Sequence, residues 1–290
     1  MKQEIPKYLF NKNLPLQIEM VDLAKLIKMY GNIIYISHRT NFYHIFLFDQ
    51  CTPKHMVDFN SVKVRPYSML FINKDNVHLF DKSSRYTGKV LIFTDEFFCV
   101  TENDKNFLRR TIVFNDLLAV TNMRLGKSYT EFLKLFNELD NELQLPIDAN
   151  QHQIVKNMLH NLLLKAERKK REEGFVEFKK GADLDYTLLF KDLLDEQFHH
   201  LKSVAAYADK LTVSEKRLNR ATTIVLGKTP KQMIDERILL EAKRLLTHTS
   251  NSIKEIAFAI GFDEPTNFIK YFRKHTSQTP VDFRESYLRH

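Results

Sequence analysis

Apolar positions change their spacing twice along this chain, and each change marks a different kind of structure. Through residues 1–115 they come in short runs rich in β-branched and aromatic residues: Ile33–Ile36, Phe42–Phe48, Met56–Val64, Met69–Ile72 and Val90–Phe93. Turn-forming clusters separate the runs, among them Asp49-Gln-Cys-Thr-Pro53, Asn73-Lys-Asp-Asn76 and Asp81-Lys-Ser-Ser84. Short strands at regular spacing predict a sandwich or barrel. The phenylalanines, 23 in the chain and concentrated here, supply large side chains for a small β core. The period then becomes helical, at Phe132, Leu135, Phe136 and Leu139, and again at Ile154, Val155, Met158, Leu159, Leu162 and Ala166. The second stripe either packs on the β domain or forms a dimer seam through Val155, Met158, Leu159 and Leu162. The charge run Lys165–Glu173 reads as a solvated helix end. Gly174 and Gly181 bracket the expected linker, so the domains are expected at 1–175 and 186–290.

From Ser203 onward one helical pattern occurs twice, about fifty residues apart. Ser203-Val-Ala-Ala-Tyr-Ala-Asp-Lys-Leu211, Ser214 to Arg220 and Thr229-Pro230 are answered by Ser252-Ile-Lys-Glu-Ile-Ala-Phe-Ala-Ile-Gly261, Glu264 to Lys270 and Thr279-Pro280. Internal repetition sets architecture, and each copy predicts a short helix, a tight turn and a second helix, the layout of a DNA-reading helix-turn-helix. Ser203, Ser214 and Ser252 are N-cap residues, and Ser252-Ile-Lys-Glu255 is a capping box. Leu218, Ala221, Thr222 and Val225 give the first copy's second helix its inward face, and Phe268 and Phe272 do so in the second copy. Lys216, Asn219 and Arg220 then face out, as do Thr266 and Lys270. In a major groove Asn pairs with adenine edges, and Arg or Lys with guanine. Arg273 and Lys274 follow one turn later, where phosphates are expected, and the helix starts at Ser203 and Ser252 are further phosphate sites. Between the copies, Thr229 to Thr247 predicts one long helix. Its roughly 18 residues span about 27 Å, against about 34 Å between successive major-groove faces.

Composition changes this picture only a little. The net charge of +8 suits a polyanion, but residues 186–290 hold 17 Lys/Arg against 13 Asp/Glu and residues 1–185 hold 27 against 23, an excess of +4 in each part. Charge placement along particular helices must therefore identify the DNA module. Cys51 and Cys99 are too few for a disulfide framework and are not spaced as a metal knuckle. No apolar run approaches the roughly 18 residues of a membrane helix, and the opening Met-Lys-Gln-Glu-Ile-Pro is no secretory signal. The expectation is a cytoplasmic protein with no membrane partner.

Residues 201–284 resemble the AraC/XylS family of bacterial transcription regulators. The resemblance is carried by Thr229-Pro230, Arg237, Glu241-Ala-Lys-Arg-Leu-Leu246, Ser252-Ile-Lys-Glu-Ile-Ala257, Gly261-Phe262, Phe268, Tyr271-Phe-Arg-Lys274 and Thr279-Pro280 with Phe283-Arg284. It implies base contacts from Lys216, Asn219 and Arg220, then from Pro265, Thr266 and Lys270. Lys270 stands where the family often has arginine, and Ser277 where many members have glycine. More loosely, the first half is similar to the family's cupin-like sensing domain, through His38-Arg-Thr-Asn-Phe-Tyr43, His55-Met-Val-Asp-Phe59, Pro66 to Ile72 and Val77-His78. The resemblance implies a two-domain α+β protein: a cupin-like β-barrel of jelly-roll type with appended helices, then an all-α domain of two helix-turn-helix units joined by a long helix. A metal cupin offers a His-x-His pair; His38-Arg39-Thr40 lacks one ligand, so neither metal nor cofactor is expected. Arg39, His55 and His78 are the candidate effector ligands.

The expected function is sequence-specific transcription regulation, the chain being bound to the nucleoid when on DNA. The expected partners are promoter DNA, RNA polymerase, a small-molecule effector and a second copy of the chain. One alternative makes the first domain a dimerisation or protein-interaction module only. A remote one makes it a cupin-type enzyme, but no Gly-x-Ser-x-Gly, Gly-x-Gly-x-x-Gly or His-Glu-x-x-His pattern is present, and no enzyme is expected.

Overall fold

Among the described residues of the first half, aromatic and β-branched runs and the short segments between them form ten strands: β1 (Lys7–Tyr8), β2 (Ile18–Asp22), β3 (Arg39–Thr40), β4 (Tyr43–Phe48), β5 (Lys54–Val57), β6 (Asn60–Lys63), β7 (Ser68–Ile72), β8 (His78–Phe80), β9 (Gly88–Phe93) and β10 (Asn122–Arg124). The computed structural model describes residues 5–114, 120–175 and 181–288, and the chain divides into a unit from Pro6 to Val176 and a unit from Glu177 to His290, which also takes in Ile5. The expected linker stretch 176–180 lies outside the described residues.

In the first unit a five-stranded antiparallel sheet runs β10-β7-β4-β9-β2 and a three-stranded sheet runs β6-β5-β8. Alternation along β4 explains why the whole strand is buried. Tyr43, Ile45 and Leu47 join a core with helices α4 (Tyr129–Leu143) and α5 (Gln151–Glu172), while Phe46 and Phe48 face Val57 and Phe80 of the smaller sheet. The strands form two facing sheets and a parallel β1–β3 pair; among the described residues no ladder closes them into the expected barrel. An isolated bridge, His38 to His78, links β8 to the segment before β3.

Three further expectations differ from the structure. The run Ile33–Ile36 is not a strand: it lies at and beyond the end of helix α1 (Leu23–Ile34), which begins where the Asp22 carboxylate accepts the Lys25 N–H. Met56–Val64 is not one strand but the β5–β6 hairpin, broken at Asp58, whose φ of 52° is left-handed. The α5 stripe is not a dimer seam. Val155, Leu159 and Leu162 are buried in their own unit's core with Met158 packed against it, so they leave no surface for a second copy. The charge run likewise contains one buried member, Glu167, which accepts from the Ile112 N–H at 3.2 Å and from Arg171 at 3.0 Å. Helices α2 (Asp95–Phe98) and α3 (Glu102–Arg110) complete this unit.

The second unit is helical: α6 (Ala182–Gln197), α7 (Val204–Lys210), α8 (Glu215–Leu226), α9 (Pro230–His248), α10 (Ile253–Ala259), α11 (Pro265–Thr276) and α12 (Pro280–Leu288). Helix α9 has 19 residues, about 28 Å of rise. Its buried Met233, Ile234, Ile238, Ala242 and Leu246 face the helix pairs on either side of it. Among the described residues no helix is long and apolar enough to cross a membrane.

Candidate nucleic-acid interface

The repeat is structural as well as sequential. Ser203 caps α7 by accepting the Ala206 N–H, and Ser252 caps α10 by accepting that of Glu255. The chain then turns through the same bond, Val213 N–H to the Ala208 carbonyl at 3.0 Å and Phe262 N–H to the Ala257 carbonyl at 2.9 Å. Left-handed residues make both turns possible, Thr212 at φ 54° and Gly261 at φ 80°. Ser203 and Ser252 are 49 positions apart, whereas Thr229 and Thr279 are 50 apart, so the second copy carries one more residue between its turn and its second helix. Both second helices end alike: Gly227 (φ 67°) and Ser277 (φ 61°) adopt left-handed C-caps, each donating its N–H back at 2.9 Å. Ser277 thus takes the angle that glycine takes more readily.

Burial sorts the faces of α8 and α11. Leu218, Ala221 and Thr222 of α8 and Phe268 and Phe272 of α11 are buried, whereas Lys216, Arg220, Thr266, Lys270, Arg273 and Lys274 are exposed. Pro265 is half-buried at the first position of α11, where its missing N–H costs nothing. Asn219 is half-buried and donates its side-chain amide to the Glu215 carbonyl of its own helix at 3.1 Å. The two helix starts named as phosphate sites differ. At Ser252 the Glu255 carboxylate already accepts the Ser252 N–H and hydroxyl, which places a negative group there. At Ser203 the equivalent residue is Ala206, so that start carries no such carboxylate.

Several residues whose work the sequence did not disclose hold these helices in place. Tyr271 of α11 donates its hydroxyl to Asp235 of α9 at 2.8 Å. Arg237 of α9 donates to Asp195 at 2.8 Å and to Glu241 at 3.2 Å, and Arg244 shares Glu241 at 3.2 Å. Arg284 of α12 donates to the Leu246 carbonyl at 3.0 Å and the Asn251 carbonyl at 2.6 Å, tying down the link between α9 and α10. Arg237, Glu241, Arg244, Tyr271 and Arg284 are among the residues that carry the family resemblance, but nothing in the sequence named their partners.

In the first unit the candidate ligands His55 and His78 lie deep between the sheets, 0% and 1% exposed, with a 3.2 Å contact from His55 Nε2 to His78 Nδ1. They form a cluster with His38 and with His44, which sequence reasoning missed; the rings of His38 and His44 lie 4.4 and 4.8 Å from that of His78. The period-two alternation that puts His44 on one face with Phe46 and Phe48 was the available signal. His44 Nδ1, His55 Nδ1 and His78 Nε2 are buried without a hydrogen-bond partner. Whichever of His55 and His78 donates the proton they share, one outer nitrogen is left an N–H and the other a lone pair. Burial first, and repulsion from the neighbouring imidazoles second, hold His44 and His78 well below the ordinary histidine value and push His55 down to about 3. His38 is also lowered by burial, against a raising bond from Nδ1 to the Ile36 carbonyl. Arg39, half-buried on β3, adjoins this cluster in the chain. No group of three His, Cys, Asp or Glu among the described residues is arranged to hold a metal ion. An open cavity of this unit lies elsewhere, about 560 Å³ lined by polar groups including Asp49, Thr52, Ser83, Ser84, Arg85 and Thr87.

The helix-turn-helix domain family matches residues 207–286. The HTH-type transcriptional activator RhaS of Salmonella dublin is 21% identical over 254 residues, 86% of this chain and 87% of that one. RhaS of Escherichia fergusonii is 30% identical over 92 residues, 32% of this chain and 33% of that one, so this match spans about a third of that relative. Among solved structures, an AraC-type DNA-binding regulator from Chromobacterium violaceum aligns over 36% of this chain and 92% of its own, at 28% identity and a TM-score of 0.33. The helix pairs and the longer, more distant match to a whole activator agree: this chain is an AraC-type DNA-binding transcription regulator.

Proposed function

We propose that α8 and α11 read the two halves of one duplex site, through Lys216, Asn219 and Arg220 in the first and Pro265, Thr266 and Lys270 in the second, with Arg273, Lys274 and the helix start at Ser203 on phosphates. One observation carries this: over the first two turns of both second helices the exposed side chains are charged or hydrogen-bonding, and Leu218, Ala221 and Phe268 of the opposite faces are buried. Sites selected by the full chain from a random duplex pool test it. Arg220→Ala and Lys270→Ala are each expected to weaken binding to the selected site by about 1–3 kcal/mol and to relax base preference in their own half. Unchanged affinity and unchanged preference in both variants reject the assignment.

The first unit, in this proposal, is a cupin-like jelly-roll domain that senses a small molecule and dimerises, adjusting how the regulator engages DNA and RNA polymerase in the cytoplasm. The polar cavity beside Asp49 and Arg85 supports a small hydrogen-bonding effector. A second reading, an interaction module with no ligand, draws on the filled space between the sheets, where Phe46, Phe48 and Phe80 are buried together. A thermal-shift screen decides between them: a ligand that binds only the folded state raises the midpoint with concentration, while a dimer that responds to no ligand favours the second.

A further inference from the structure

Two recognition helices on one rod need more than the rod. Helix α9 sets their distance, and Tyr271 and Arg284 hold the second pair to it, but reading two grooves at once also requires a fixed rotation of one pair against the other. The structure supplies a second tie between the pairs, off the axis of α9. It is the five-residue link Phe198–Lys202, which joins α6 to α7 on the side of the first pair and reaches the turn between α10 and α11 in the second.

Each contact of this link with the second pair is to backbone or to an aromatic face. Lys202 donates to the Phe198 carbonyl at 2.7 Å and to the Ile260 carbonyl, and its ammonium sits 5.3 Å from the Phe262 ring centroid. His199 Nδ1 lies 3.1 Å from the Ala259 carbonyl. The His199 carbonyl comes so close to Gly261 that a Cβ there would stand 1.7 Å from it. Here the two turns part company: Thr212 meets only the angular requirement, whereas Gly261 also makes room for the link. The link is itself anchored, because buried Phe198 lies beneath the Arg237 guanidinium at 3.9 Å and Tyr207 donates its hydroxyl to the Leu201 carbonyl at 3.2 Å. Two of the three Lys202 donors go to helix-end carbonyls, which separates this lysine from the cations facing outward.

We propose that the Phe198–Lys202 link is a clasp that sets the rotational register between α8 and α11, with Lys202 and His199 as positioning residues and Gly261 as the socket, so that it determines which spacing between the two half-sites the protein accepts. This rests on the two-helix reading above. Inserting one base pair between half-sites moves the second by about 3.4 Å and about a tenth of a turn; a rigid pair of readers loses contacts, and a loosened pair follows the shift.

The test uses the full chain and a duplex it selects from a random pool. Three versions of that duplex are compared: as selected, with one base pair inserted between the halves, and with one half scrambled. Wild type is expected to prefer the selected spacing by about tenfold or more, comparable to one mismatched base pair. Lys202→Met, which keeps the stem and loses the donors, is expected to cut that preference to below about threefold with binding to the half-scrambled duplex unchanged. His199→Ala, a milder change, is expected to fall between them and decides the matter if Lys202→Met does not fold. A two-part motif whose spacing preference is the same in wild type and in every folded variant overturns the clasp alone. A pool that returns no motif, or only one half, overturns the two-helix reading and the clasp with it.

Discussion

The two units bury polar groups in opposite ways. In the helical unit the buried groups are charged and paired: Glu241 and Arg244, 4% and 3% exposed, share a bond, and Arg237 connects them to Asp195. The β unit also pairs buried Lys156 with Asp104 and Glu167 with Arg171, but what sets it apart is four buried histidines, kept neutral by burial, three of them with an unpartnered ring nitrogen. A paired charge network holds one geometry across the ordinary pH range, which suits helices that must present fixed faces to DNA. A neutral imidazole cluster holds only while it stays unprotonated, and no carboxylate is among the groups acting on these rings to receive a proton's charge. One polar core is rigid by pairing and the other is conditional on pH.

The strongest way to break this comparison is to unpair the helical network. Glu241→Gln removes the carboxylate shared by Arg237 and Arg244, and chemical denaturation at pH 7.5 is expected to show a loss of up to about 5 kcal/mol from the helical unit. A loss under about 1 kcal/mol places the rigidity elsewhere.

Acid is the matching probe for the β unit. The folded values of its histidines lie below the ordinary 6.5, so the unfolded chain takes up protons first. Their stability contribution is whole above pH 6.5 and is lost as pH falls through 6.5 toward the folded values, about 3 for His55. For the three fully buried rings that amounts to about 4 kcal/mol between pH 7.5 and 5.5. Urea unfolding followed by near-ultraviolet signals of the β unit measures it, and the double variant His55→Leu with His78→Leu is expected to flatten the dependence to about a third of the wild-type slope. A wild-type profile already flat over that range contradicts the neutral cluster.

The smallest effect calibrates the other two, because it removes a polar partnership at the surface. Ser252→Ala deletes the exposed cap of α10 and is expected to cost about 1 kcal/mol in thermal or chemical denaturation. A cost as large as that of Glu241→Gln erases the distinction between buried and exposed pairing.

Much of the helical unit was legible in advance. The caps at Ser203, Ser214, Thr229 and Ser252, the left-handed Gly227 and Gly261, and the extent of α9 all follow from residues within a few positions of each other. The outward placement of Lys216, Arg220, Thr266 and Lys270 follows from helical period alone. The β unit was less so. Ile33–Ile36 has strand composition yet belongs to a helix end, because Asp22 caps the preceding segment and Leu23 and Ile34 are buried on one side of it. Hydrophobicity of the α5 stripe was plain, but a stripe looks the same whether its cover is its own sheet or another chain.

What this sequence determined by itself was everything governed by short range: two capped helix pairs, their turns, a rod between them and the cations along their open faces. Tertiary structure alone decided that Val155, Leu159 and Leu162 are core, that four histidines from separate segments converge, and that Lys202 and Gly261 meet across about sixty residues of chain. The physical reason is reach. Caps, turns and helical periods are bonds and angles between near neighbours, so the local residues carry them. Packing partners and buried-group environments depend on which distant surfaces the whole chain brings together, and no local pattern names its partner.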